Sequence, residues 1–308
     1  MRLSILLLAA ASAATSAPGK KIFGWGIWQQ AEETAAQLLN PDWEGLVDSV
    51  QVQCGVHLNK DGLITVNSTE YDACKPIFDA MEGKGIEAWI MEVPQVALDN
   101  PTATYDSAVS VLQDYPVFTG FSFDDERDCA PRAVFSLFEE WMQFMNGFSD
   151  AVHEYNQNFT VTNAVQAMFG IEDVEYDPNA VQPCDNAPWD YEIDPRIGQM
   201  MATSSVDWWL VMDTYYFSTA RYLNALDYYM DNVGIPKTSI AVMNRDDLSG
   251  DDYASRFHAL QRSGAQQFSM FLMPMDDAWL TWLRRWKYNC STCDMKGSLG
   301  CFEPSVVC

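Results

Sequence analysis

Short runs of Val, Ile, Phe, Trp and Tyr alternate along the chain with longer stretches whose apolar residues recur three and four apart. The short runs read as strands: Ile22–Trp28, Ser49–Val56, Ile86–Val93, Val117–Phe123, Phe159–Ala167, Trp208–Tyr215, Ser239–Met243 and Gln267–Met273. The longer stretches read as helices: Ala31–Leu46, Thr69–Gly83, Thr104–Gln113, Pro131–Tyr155, Pro195–Ser204, Thr219–Asn232, Asp251–Ser263 and Asp277–Lys287. Helix stop signals support several of them, such as Gly83-x-Gly85 after the second and Gly234-x-Pro236 after the sixth. Eight strand–helix units in 308 residues are the arithmetic of a single α/β domain, a (β/α)8 TIM barrel. A doubly wound open sheet would carry a Gly-rich phosphate loop after its first strand. Here Phe23-Gly24-Trp25-Gly26 runs on into Trp28 and Gln29, so that loop is missing.

Composition changes the picture in two ways. Acidic residues outnumber basic ones 43 to 18, a net charge of −25, which repels phosphate backbones and anionic lipid. A neutral or cationic partner is expected, with no nucleic acid partner. The start of the chain then sets the compartment. Arg2, the apolar run Leu3–Ala14 and the small residues up to Ala17 form a secretory signal peptide, too short to span the roughly 30 Å of a bilayer core. The expected organisation is a signal over 1–17, the barrel over 18–287 and a Cys-rich tail over 288–308, in a secreted monomer without membrane anchor. In an oxidising compartment the eight Cys read as disulfides, two bridges in the body and two in the tail, although Cys290-x-x-Cys293 superficially resembles a zinc site. Sequons at Asn67, Asn158 and Asn289 are compatible with N-glycans. No metal and no cofactor is expected.

In this fold the reacting groups stand at the C-terminal ends of the strands. The polar and aromatic residues there are Trp28, His57, Glu92, Asp124, Glu126, Asn163, Gln166, Asp213, Tyr215, Tyr216, Asn244 and Asp276, joined by Trp25 in the first strand. A long connection of about 169–194, with Trp189 and Cys184, adds to the same face, and a Cys129–Cys184 bridge would tie it to its neighbour. Carboxylates, amides and aromatic rings suit sugars, whose rings stack on aromatic faces and whose hydroxyls pair with polar groups. The sharpest local signal is Phe121-Ser122-Phe123-Asp124-Asp125-Glu126. Strand alternation puts Ser122, Asp124 and Glu126 on one side and the Phe rings on the other. If the rings pack under the helices, two carboxylates meet at the barrel mouth, and one of them should hold its proton into the range useful for a general acid.

These residues resemble the strand-four signature of glycoside hydrolase family 18, Asp-Gly-x-Asp-x-Asp-x-Glu. Thr119 to Glu126 overlays it without a gap: Gly120, Asp124 and Glu126 match, while Thr119 and Ser122 replace the first two Asp. The resemblance implies Glu126 as acid/base and Asp124 as the residue that orients the substrate acetamido group, which acts as nucleophile. It also implies Tyr215, braced by Asp213, as the holder of the acetamido carbonyl, although Met212-Asp213-Thr214-Tyr215 departs in order from the family's Met-x-Tyr-Asp. The family's strand-eight Trp has no clean counterpart, since Trp279, Leu280, Trp282 and Trp286 read as the buried face of the last helix. Ser122 is expected to donate one hydrogen bond to Asp124 in place of the lost Asp.

The expectation is a secreted retaining glycosidase acting on an N-acetylhexosamine-containing glycan. Glu126, Asp124, Tyr215 and Asp213 would be catalytic. Trp25, Trp28, Glu92, Asn163, Gln166, Trp189, Tyr216, Asn244 and Asp276 would bind substrate. Two alternatives stand beside it: a two-carboxylate glycosidase on another polysaccharide, and a non-catalytic, lectin-like barrel.

Overall fold

The computed structural model describes residues 19–124, 135–166, 195–212, 226–227, 229–243 and 264–288. In chain order the strands are β1 (Lys21–Ile27), β2 (Ser49–Gln53), β3 (Val56–Leu58), β4 (Ile64–Val66), β5 (Gly85–Ile90), β6 (Gly120–Phe123), β7 (Thr160–Gln166), β8 (Trp208–Met212), β9 (Thr238–Met243) and β10 (Gln267–Phe271). Eight of them close a barrel in the order β1-β10-β9-β8-β7-β6-β5-β2. Every neighbouring pair is parallel, and β1–β2 pairing completes the ring. This is the (β/α)8 barrel the alternating pattern predicts. The described helices are α1 (Ala31–Leu38), α2 (Ser68–Ala73), α3 (Lys75–Ala80), α4 (Gln95–Asp99), α5 (Pro101–Asp114), α6 (Phe135–Tyr155), α7 (Pro195–Thr203) and α8 (Ala278–Tyr288). None of them is long and apolar enough to cross a membrane.

The differences from the pattern have local causes. The second strand stops at Gln53, and residues beyond it fold into the antiparallel hairpin β3–β4 above the barrel. That hairpin carries His57, whose Nε2 lies 2.7 Å from Glu70 Oε2. Cys54 at its base is bonded to Cys74, one bridge of the kind expected for the body. The first helix breaks after Leu38, where Asn40 caps a short turn opened by Pro41. The second splits into α2 and α3 around Cys74, with Pro76 in the first turn of α3. The extra helix α4 precedes α5, and Pro101 starts α5 three residues before the predicted Thr104.

Alternation along the strands divides the interior into two regions. One side of each strand faces the helices: Ile22, Val50, Val52, Ile86, Ala88, Phe121, Phe123, Val161, Val165, Trp209 and Phe268 all belong to this outer core. Here Phe148 of α6 meets the rings of Phe121 and Phe123 edge-on, at 5.2 and 4.9 Å between centroids. On α8, Trp279 and Trp286 are fully buried against Phe268, and Leu280 and Trp282 are half-buried beside them. The other side faces the lumen, where Trp25, Trp89, Ala164, Leu210 and Met212 form a separate cluster under the C-terminal mouth. Below it the lumen is polar, with Gln51, Glu87, Thr160 and Thr162 in one hydrogen-bonded group.

Candidate active site

Strand β6 is held in place from both sides of its pleat. Its Phe rings anchor the outer face on α6, and Thr119 Oγ1 accepts from the Ile86 amide at 2.9 Å, joining the start of β6 to β5. Gly120 is required by close approach, because a Cβ there would overlap the Thr160 carbonyl oxygen on β7. The Asp124 amide donates to the Ile90 carbonyl at 2.7 Å, so the ladder runs one residue past the strand. Ser122 is buried on the lumen side, and the same alternation carries the half-buried Asp124 to the C-terminal rim of the barrel. The condition set by the sequence, that the Phe rings pack outward under the helices, is met.

Around this rim the aromatic floor is the best-defined feature. Trp25, Trp89 and Phe271 stand edge to face at 4.7, 5.2 and 5.5 Å. Such pairs contribute about 0.5–1.5 kcal/mol each beyond the area they bury. The indole N–H groups of Trp25 and Trp89 are buried without a hydrogen-bond partner. Trp28 begins a short turn just after β1, at the C-terminal end of that strand, and is 36% exposed. Exposed Glu92 follows β5. Asp276 is half-buried in the turn from β10 to α8. That turn is clamped by Gln37, whose amide both donates to the Met275 carbonyl at 2.7 Å and accepts from the Met275 amide at 2.6 Å. Gln166 ends β7 in register with Met212, at the level of the floor.

Three expectations are corrected. Trp25 is fully buried, so it is floor and not an exposed stacking platform; Trp89 and Phe271 pack edge-on against it. Asn163 does not reach the mouth. It pairs in register with Phe123 and shares a strand face with Val161 and Val165, which puts it under the helices. There its Nδ2 donates to the Ala164 carbonyl at 2.6 Å and its Oδ1 stays without a partner. Ser122 does not donate to Asp124, because its Oγ is buried with no hydrogen-bond partner. Glu126, Trp189, Asp213, Tyr215, Tyr216 and Asn244 lie outside the described residues, as do Cys129–Cys184, the signal segment and the Cys-rich tail.

The sequence also passed over Glu87. It sits in the lumen, accepting from Gln51 Nε2 at 2.9 Å, Thr160 Oγ1 at 2.8 Å and Thr162 Oγ1 at 3.3 Å. Burial pushes its carboxyl up to about 7, against the pull of those three hydrogen bonds. A lone charged residue between Ile86 and Ala88 in an apolar strand was the available signal.

No protein-family model and no curated protein matches the chain. Among solved structures, a GH18 chitinase from Pseudoalteromonas aurantia is similar over 86% of this chain and 97% of its own, at 10% identity and a TM-score of 0.59. The Bacillus cereus spore cortex-lytic enzyme SleL is similar over 87% of this chain and 74% of its own, at 9% identity and a TM-score of 0.60. The endo-1,4-beta-mannanase from Rhizomucor miehei is similar over 87% of this chain and 96% of its own, at 11% identity and a TM-score of 0.52. Identities this low establish the shared barrel fold and nothing finer.

Proposed function

We propose that this chain is a secreted glycoside hydrolase that cleaves an N-acetylhexosamine-containing glycan with retention. The observation that carries it is the pleat of β6, whose buried Phe rings turn Asp124 to the C-terminal rim of the barrel. Glu126, two residues further along the family 18-like signature, is the acid/base of the proposal. It donates its proton to the glycosidic oxygen as the bond to the anomeric carbon breaks. The acetamido carbonyl oxygen, oriented by Asp124 and held by Tyr215 with Asp213, attacks that carbon from the opposite face. Water then attacks in turn, giving its proton to Glu126, and two inversions leave the configuration retained. Trp28 supplies a ring face for a sugar, with Glu92, Asp276, Gln166, Tyr216, Asn244 and Trp189 as further binding residues.

One observation favours a second reading, a carbohydrate-binding barrel without turnover. Two signature Asp are replaced, and Thr119, at the first of these positions, spends its hydroxyl oxygen on the β5–β6 backbone. Hydrolysis of a fluorogenic N-acetylchitooligosaccharide panel, with Glu126→Gln alongside, separates the two. Turnover that disappears in the variant supports the glycosidase. Saturable binding with no turnover in the parent supports the lectin-like barrel, and turnover that survives the substitution refutes Glu126 as the acid.

A further inference from the structure

The N-terminal end of the barrel, opposite Asp124, opens into a cavity of about 490 Å³ lined from the starts of β1, β2, β5, β6, β7 and β8. That size lies within the roughly 300–1,000 Å³ of small-ligand sites. Its wall combines the rings of Phe23 and Trp208, 5.1 Å apart, with Lys21, Lys84, Ser49 and Glu87.

With Lys287 counted, three ammonium groups stand beside two carboxyl groups there, against the acidic excess of the whole molecule. Asp48, also on the wall, is neutralised by Lys287, whose Nζ lies 2.7 Å from both carboxylate oxygens, and it also accepts from the Ile22 amide. Glu87 is already held by three donors. Lys21 and Lys84, by contrast, form no ion pair with a carboxylate among the described residues. Lys84 donates to the Val47 carbonyl, and the Lys21 ammonium sits 5.0 Å over the Trp208 ring. Ser49 is 6% exposed, and its Oγ is buried with no hydrogen-bond partner. Two ammonium groups without an ion pair among the described residues, an unpartnered hydroxyl and an indole wall thus converge in a chain of net charge −25.

We infer that this cavity is a binding site for a small organic carboxylate with a ring-shaped body, independent of the glycan site at the other mouth. The carboxylate would draw the Lys21 ammonium off the Trp208 ring, lie between Lys21 and Lys84 and accept from Ser49, leaving the Trp208 face to the ligand ring.

The test is calorimetric titration of the full chain with glucuronate, with glucose as its neutral counterpart and inorganic phosphate as an anion without a ring. Glucuronate should bind at least tenfold tighter than either, and Lys21→Ala should weaken it roughly tenfold, as for the loss of one hydrogen bond to a charged group. Because Lys84 also holds the Val47 carbonyl, Ser49→Leu, which fills the cavity, serves as the second variant and should abolish binding. Trp28→Ala, at the far mouth, should leave it unchanged. Equal binding of glucose or phosphate, no glucuronate binding, or loss on Trp28→Ala with retention in Lys21→Ala and Ser49→Leu would each overturn the inference.

Discussion

Replacing Glu87 by Gln should make the protein more stable at pH 8 and leave it nearly unchanged at pH 4. Glu87 is buried in the lumen, and burial lifts its carboxyl from 4.5 to about 7. The folded state therefore binds more protons than the unfolded chain between these two values. Stability from this residue is fully present below about pH 4.5, declines as pH rises, and is lost once pH passes 7. At about 1.4 kcal/mol for each pH unit across that interval, the loss is on the order of 3 kcal/mol. Gln keeps the shape and does not ionise. Its amide oxygen, in the place of Oε2, can still accept from Gln51 Nε2 and Thr162 Oγ1, while the Thr160 hydroxyl can rotate to accept from its amide nitrogen. Urea denaturation of parent and variant at pH 4 and pH 8 measures the difference, and other titrating groups cancel between the two proteins. A variant advantage that is the same at both pH values, or a less stable variant at pH 8, refutes the argument. The first outcome would mean Glu87 carries no shifted proton, and the second that its ionised form is better held than its burial suggests.

Two further outcomes follow from the scaffold. The Cys54–Cys74 bridge joins residues 20 apart, and removing it with the double substitution to Ala should cost about 3 kcal/mol by loop entropy, read as a lower urea midpoint. Midpoints that coincide would show that the hairpin is held without the bridge. Gly120→Ala forces a Cβ onto the Thr160 carbonyl oxygen, a backbone atom that cannot swing away. It should destabilise by about 3 kcal/mol or more, within the range of core overpacking. An Ala variant with parental stability would mean that β6 and β7 can separate freely.

Much of this protein is written locally. The eight barrel strands lie within the predicted apolar runs to within a residue, because alternation and β-branched or aromatic content are properties of neighbours in sequence. The outward direction of Phe121 and Phe123 followed from the same alternation, and the buried face of α8 from its three-and-four spacing. Asn163 shows the limit of such inference. It is polar and counted among the strand-end residues, but it is the middle residue of β7, and its parity, set by register with Phe123, turns it away from the mouth. What closure of the barrel alone decided are the meetings between distant residues. Trp25, Trp89 and Phe271 become one aromatic floor, Glu87 gains donors from Gln51, Thr160 and Thr162, and Lys21, Ser49 and Lys84 line one cavity. A strand carries its own pleat, but its lateral partners and their register arise only when eight strands share one ring.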